Sequence, residues 1–98
     1  MAVSLTWAPT ARQDFRQLLS YIAEANPAAA RMFGRKLLET VGQLREFPQS
    51  GRVVPEFGDA NLREVIRKPC RIVYRLSNRG QVVEIVRIWH AARGTPEP

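Results

Sequence analysis

An α+β fold with the element order β-α-α-β-β-β follows from three observations on this 98-residue chain. Between residues 9 and 47 the apolar side chains recur at helical spacing, interrupted once by Asn26-Pro27. From residue 62 onwards the apolar period falls to two, and Val, Ile and aromatic residues dominate. Between these regions, residues 48–61 hold two prolines and two glycines and read as a loop, a kind of segment that often carries function. The pattern predicts an N-terminal helical hairpin packed on one face of a mainly antiparallel sheet.

Residues 2–7 alternate, with Val3, Leu5 and Trp7 on one side and Ser4 and Thr6 on the other, as in a short strand. Pro9 then suits the first turn of a helix, where its missing N–H costs nothing. Ala11, Phe15, Leu18, Leu19, Ile22 and Ala25 form that helix's apolar stripe, with Arg12, Arg16 and Glu24 off it. Asn26 is placed to cap a second helix that begins at Pro27. Its stripe is Ala30, Phe33, Leu37, Val41 and Leu44, and it is expected to end at Phe47-Pro48. Three strands follow, Leu62–Arg67, Cys70–Leu76 and Gln81–Trp89. Lys68-Pro69 separates the first two, and Ser77-Asn78-Arg79-Gly80 makes a hairpin turn between the last two. The chain reads as one domain over residues 1–98, with 94–98 a frayed tail.

Composition excludes several function classes. Cys70 is the only cysteine and His90 the only histidine, so a disulfide framework, a Cys-based zinc site and a multi-His metal site are not expected. There is no nucleotide-binding glycine motif and no Ser-His-Asp or Cys-His arrangement, and no cofactor is expected. No apolar run reaches the ~20 residues that span a bilayer, and no signal-peptide pattern opens the chain. The expectation is a cytoplasmic protein without a membrane partner.

Charge is the unusual feature. Fifteen Lys+Arg oppose nine Asp+Glu for a net +6, and only Lys36 and Lys68 are lysines. Arginine makes forked contacts to phosphate and carboxylate, so the bias suggests an anionic partner. Residues 51–98 hold nine of the cations against five anions. Strand alternation places Arg63, Val65 and Arg67 on one face and Arg71, Val73 and Arg75 likewise. With the apolar sides turned to the helices, Arg63, Arg67, Arg71 and Arg75 are expected to gather on the exposed side of the sheet, with Arg87 nearby. The competing expectation is a solvated face on which these arginines pair with Glu56, Glu64 and Glu84. His90 ends the last strand, and with Arg93 close by in sequence it is a candidate for acid–base work on a phosphodiester. Cys70 falls on the apolar face of its strand, as an inert core residue would.

A series of short motifs carries a family resemblance along nearly the whole chain. In order they are Trp7, Tyr21-Ile22-Ala23, Asn26-Pro27-Ala28-Ala29, the run Phe47-Pro48-Gln49-Ser50-Gly51-Arg52, Val54-Pro55-Glu56, Arg63-Glu64-Val65, the run Arg71-Ile72-Val73-Tyr74-Arg75 and His90-Ala91-Ala92-Arg93. Their order resembles the RelE/ParE toxin superfamily of bacterial type II toxin–antitoxin modules, which include plasmid-stabilisation systems. The resemblance implies a toxin made with a cognate antitoxin that wraps and silences it. ParE-like members poison DNA gyrase without chemistry of their own, whereas RelE-like members cut mRNA on the 70S ribosome. For the nuclease, the resemblance assigns Arg67, His90 and Arg93 as catalytic candidates. The tyrosine that many such nucleases carry after the last strand is absent, since Ala91-Ala92-Arg93-Gly94 follows His90. A lysine-rich stretch is absent too. The Phe47–Arg52 and Val54–Glu56 loop and the His90–Arg93 ending look more like ParE, so a gyrase-directed toxin is the leading expectation and a ribosome-dependent endoribonuclease the alternative. A simple nucleic-acid-binding module is a third. On either toxin reading Arg63, Arg67, Arg71, Arg75, Arg87 and Arg93 are candidates to bind target or antitoxin.

Overall fold

The computed structural model of the chain describes residues 3–90 together with Gly94, Pro96 and Glu97. A five-stranded sheet carries two helices on one face, so the predicted α+β class holds, with one strand more than expected. Strand β1 (Ser4–Trp7) leads into α1 (Pro9–Ala25) and α2 (Pro27–Gln43). Then come β2 (Arg52–Val53), β3 (Leu62–Arg67), β4 (Cys70–Ser77) and β5 (Val82–His90). The spatial order is β1-β5-β4-β3-β2, with β1 parallel to β5 and every other pair antiparallel.

Local chemistry explains the helix ends. Pro9 and Pro27 stand in the first turns of α1 and α2, and the Asn26 side chain accepts a hydrogen bond from the Ala29 N–H at 3.0 Å. The second helix stops at Gln43, short of the expected Phe47-Pro48, and turns carry the chain through residues 44–46. Its stripe continues into the turn nonetheless, because Leu44 is as buried as Leu37 and Val41. Those residues meet Cys70, Ile72, Tyr74 and Leu76 of β4 and Val83, Ile85 and Ile88 of β5 in the main core. Each large aliphatic side chain so buried contributes about 1.5–3 kcal/mol relative to exposure. Gly34 lets the helices approach closely, since a Cβ there would lie 3.2 Å from Leu19.

The extra strand β2 lies inside the segment expected to be a loop. It pairs Arg52 with Glu64 and Val53 with Arg63, and it brings residues 54–62 across the outer face of the sheet. A second, smaller core forms there from Val54, Leu62, Val73 and Val86. At the other end of the chain the tail expected to fray is held at its described residues. Trp89 Nε1 donates to the Gly94 carbonyl, Arg87 Nη1 donates to the Glu97 carbonyl, and Pro96 is fully buried.

Candidate functional site

The register of β3 on β4 decides where the arginines go. Antiparallel partners share a face, and Arg63 faces Tyr74 while Arg67 faces Cys70. Tyr74 and Cys70 belong to the helix-side core, so Arg63 and Arg67 lie on the helix side. Arg71 and Arg75 pair with Ile66 and Leu62 and lie on the outer face. The expected gathering of Arg63, Arg67, Arg71 and Arg75 on one exposed side therefore does not occur. The physical reason is that Leu62 is claimed by the outer-face core and Glu64 by an ion-pair network, which turns the more apolar-looking side of β3 away from the helices.

That network accounts for Arg71. The Glu64 carboxylate, fully shielded from solvent, accepts from Arg52 Nε and from Arg71 Nε, both at 2.6 Å. Arg71 continues outward with a two-pronged contact to Glu56, 2.8 Å on each prong. Hydrogen bonding from Arg71 holds the Glu56 carboxyl down to about 2, and Glu56 and then Glu64 raise the Arg71 guanidinium further above its ordinary value. Here the expectation of arginines paired with Glu56 and Glu64 describes the molecule. Arg75 is exposed, beside Glu84 across the β4–β5 ladder.

Arg63 fastens a loop. Its guanidinium donates to the carbonyls of Ala60, Gln49 and Gly51. Tyr74 ties down the same segment, donating to the Pro48 carbonyl at 2.8 Å and accepting from the Gly51 N–H at 2.9 Å. Burial pushes the Tyr74 hydroxyl pKa up, which keeps it a donor. Only glycine fits at residue 51, because a Cβ would sit 2.5 Å from Tyr74 Oη and 2.6 Å from the Glu64 carbonyl.

Arg87 pairs with Asp14 of α1, Nε to Oδ2 at 2.8 Å, and stacks 4.8 Å over the Trp89 ring. Asp14 Oδ2 also accepts from the Ile88 N–H, an edge donor that β1 does not reach. Of the sequence candidates, Arg63, Arg71 and Arg87 thus hold the fold together, and Arg93 lies outside the described residues.

Arg67 and His90 are brought together. Arg67 pairs with Cys70 and Cys70 with His90, so the three form one row across β3, β4 and β5 on the helix side. Two strand spacings put the Arg67 and His90 backbones roughly 10 Å apart. Cys70 between them is buried, and desolvation raises its thiol pKa, so it is a spacer rather than a nucleophile. His90 shares a hollow of about 190 Å³ with Asp14, Gln17, Tyr21 and Cys70. Arg67 borders a larger groove of about 660 Å³, formed with Ile22, Met32, Phe33, Lys36, Ile66 and Lys68. Arg67 has no hydrogen-bond or ion-pair partner among the described residues. Met32 is 59% exposed, so the groove has a bare apolar lining alongside its cations. Sequence reasoning passed over Lys36, Met32, Ile66 and Lys68. The available signal was Met32 and Lys36, one helical turn apart and off the core stripe of α2.

Among the described residues no three His, Cys, Asp or Glu side chains are placed to hold a metal ion, and no helix is long and apolar enough to cross a membrane.

The family model for the ParE toxin of the type II toxin–antitoxin system parDE matches residues 5–94. A relative from Caulobacter vibrioides named Toxin RelE2 is 33% identical over 89 residues, which is 91% of this chain and 96% of the relative. Two solved structures share the fold. A chain of the chromosomal ParDE system from P. aeruginosa aligns with a TM-score of 0.71 at 22% identity, over 90% of this chain and 95% of that one. A chain of the RelBE2 toxin–antitoxin complex from Mycobacterium tuberculosis aligns with a TM-score of 0.58 at 24% identity, over 92% and 99%.

Proposed function

We propose, from the premise that this chain belongs to the ParE toxin family within the RelE/ParE superfamily of type II toxin–antitoxin toxins, that it stops growth by binding DNA gyrase and is silenced by a cognate antitoxin. It acts in the cytoplasm as a single domain, without cofactor or metal. On this reading it binds and inhibits without catalysing a reaction.

The observation that carries this reading is the character of the groove at the tip of the helical hairpin. Ile22, Met32 and Phe33 give it an apolar lining, and Lys36, Arg67 and Lys68 add positive charge. An apolar centre with a charged rim suits an amphipathic acidic protein segment. A surface that binds nucleic acid through its phosphates relies on many unpaired cations. Here Arg52, Arg63, Arg71 and Arg87 are occupied by carboxylates or carbonyls of the chain itself. The matched parDE family and the ParDE and RelBE2 assemblies of related fold support an antitoxin as the regular occupant.

One observation favours the nuclease alternative. Arg67 and His90 flank Cys70 in a single row, a cation and an imidazole facing the same side. Such a pair suits charge stabilisation and proton transfer at an RNA phosphodiester, and the relative named Toxin RelE2 fits it. A parallel assay separates the two readings. Purified protein is expected to inhibit gyrase supercoiling and to leave mRNA intact on translating ribosomes. Cleavage of ribosome-bound mRNA that His90→Ala abolishes, with supercoiling untouched, overturns the gyrase reading.

A further inference from the structure

We propose that the groove between residues 47–50 and the β4–β5 turn binds a nucleoside monophosphate, with the base on Phe47 and the phosphate on Arg79. The site is separate from the hairpin-tip groove and does not depend on the gyrase reading.

Phe47, Pro48, Gln49, Ser50, Arg79 and Gly80 line a groove of about 460 Å³, a size usual for small-molecule sites. It lies past the end of α2, whereas the hairpin-tip groove takes Ala29, Met32, Phe33 and Lys36 from nearer the start of that helix. Phe47 is 62% exposed, so much of its ring is uncovered. The segment that follows it is fixed in place. Tyr74 donates to the Pro48 carbonyl, and Arg63 donates to the carbonyls of Gln49 and Gly51. An uncovered ring beside a strapped backbone is prepared for a flat ligand, because binding has little freedom left to remove.

The turn forms the opposite wall. Asn78, Arg79 and Gly80 all have positive φ, at 50°, 55° and 81°. Glycine adopts this left-handed backbone freely and asparagine tolerates it, but arginine does so at a cost. The fold gains nothing visible in return. The Arg79 side chain is exposed and has no hydrogen-bond or ion-pair partner among the described residues. The turn closes through its backbone, with the Gly80 N–H donating to the Ser77 carbonyl and the Gln81 N–H to that of Asn78. A costly residue with no internal role is a reason to look for an external one.

The lining specifies the ligand. It holds one cation and no carboxylate, which suits a single phosphoryl group gripped by two guanidinium N–H donors. Phe47 and Pro48 offer a surface on which a base can stack. The Gln49 side-chain amide both donates and accepts, as the edge of a base requires. Its Nε2 would lie 3.8 Å from a Cβ on Gly80, so it reaches from the loop to the turn. A nucleic-acid strand needs a run of unpaired cations, and this groove supplies one. No glycine-rich phosphate loop is required, since a side chain holds the phosphate.

The test titrates the intact protein with adenosine 5′-monophosphate (AMP), followed by NMR and calorimetry. Saturable binding is expected, with ring-current shifts at Phe47, shifts at the Gln49 and Arg79 side chains, and none at Met32, Phe33 or Lys36. Adenosine and inorganic phosphate should each bind about tenfold more weakly or worse. Phe47→Leu keeps an apolar side chain but removes the stack, and should weaken AMP binding about tenfold. Arg79→Gly should lose a similar factor, together with the preference for AMP over adenosine. Its melting temperature should stay level or rise, because glycine relieves the positive φ. Unchanged Phe47 and Arg79 signals at millimolar AMP overturn the proposal. Equal affinity for adenosine or for inorganic phosphate does the same, as does an Arg79→Gly variant that binds AMP like the wild type. A single-stranded oligonucleotide or a capped acidic peptide that takes these residues more tightly than AMP also overturns it, and gives the groove to a strand or a protein segment instead.

Discussion

On the outer face of the sheet, Arg52 and Arg71 close on the shielded carboxylate of Glu64, and Arg71 reaches on to Glu56. On the helix side, at the end where β3 and β5 finish, Arg67 and His90 stand on either side of buried Cys70, and Arg67, Lys36 and Lys68 rim an apolar groove. Both regions are rich in cations, yet they do opposite things. The outer arginines meet carboxylates of the chain and stiffen the loop that crosses the sheet. Among the described residues Arg67, Lys36 and Lys68 have no carboxylate partner, and they line the groove. A count of arginines therefore does not measure a binding surface; what matters is whether each guanidinium is already answered within the fold.

Substitutions can break this contrast, beginning with the outer network. Glu64→Gln leaves the mostly shielded Arg71 without its inner counter-charge, and breaking a buried pair in this way costs about 3 kcal/mol. Urea denaturation should register that loss, while the groove at the hairpin tip keeps its affinity for antitoxin. A loss below about 1 kcal/mol would mean that the network behaves like an exposed pair.

Next comes the loop strap. Gly51→Ala drives a Cβ into Tyr74 Oη and the Glu64 carbonyl, and overpacking of this kind costs about 2 kcal/mol. Wild-type stability in the variant would contradict the close approach.

Arg67→Ala sharpens the comparison from the other side. Its stability should change by no more than about 0.5 kcal/mol, as expected for a side chain with no partner among the described residues. Its antitoxin complex should dissociate about tenfold more readily, which calorimetry reads directly. Arg71→Ala should show the reverse, a destabilised protein with nearly normal affinity. If both variants lose affinity equally, the two faces do not divide the work as described.

The smallest effect is the pH dependence of Glu56. Its carboxyl is held down to about 2 from an ordinary 4.5, chiefly by hydrogen bonding from Arg71. A depressed carboxylate pKa adds stability that is complete above the unfolded value and fades as pH falls through the folded one. The gap in unfolding midpoint between wild type and Glu56→Gln should thus hold steady above about pH 5 and close between about 4.5 and 2. A gap that does not vary over that range would remove Arg71 as its cause.

Much of the fold was legible in the residues themselves. The stripe from Ala30 to Leu44 could not be arranged on a strand, and Asn26-Pro27 marks a helix boundary by capping and by the fixed φ of proline. The three long strands alternate clearly enough to be found within a residue or two. Strand β2 was not legible, because two residues carry no period and Arg52 and Val53 become a strand only by pairing with β3. Within the site, Arg67 and His90 were recognisable as candidates by residue type. Their shared row was not, since it depends on two ladder registers and on the irregularity between Val73 and Tyr74.

Sequence alone determined the class of this protein: the amphipathic stripes, the strand alternation, the excess of arginine and the motif order that resembles the toxin superfamily. Those features are local, and side-chain chemistry with backbone periodicity suffices to read them. Tertiary structure alone decided which arginines are available. Alternation says which residues of one strand share a face, and is silent on which face of the next strand they join. That choice was made by Leu62, which completes the outer core with Val54, Val73 and Val86, and by Glu64, held between Arg52 and Arg71. Burying them on the outer side carried Arg63 and Arg67 to the other, where the first fastens a loop and the second lines the groove with no hydrogen-bond or ion-pair partner among the described residues.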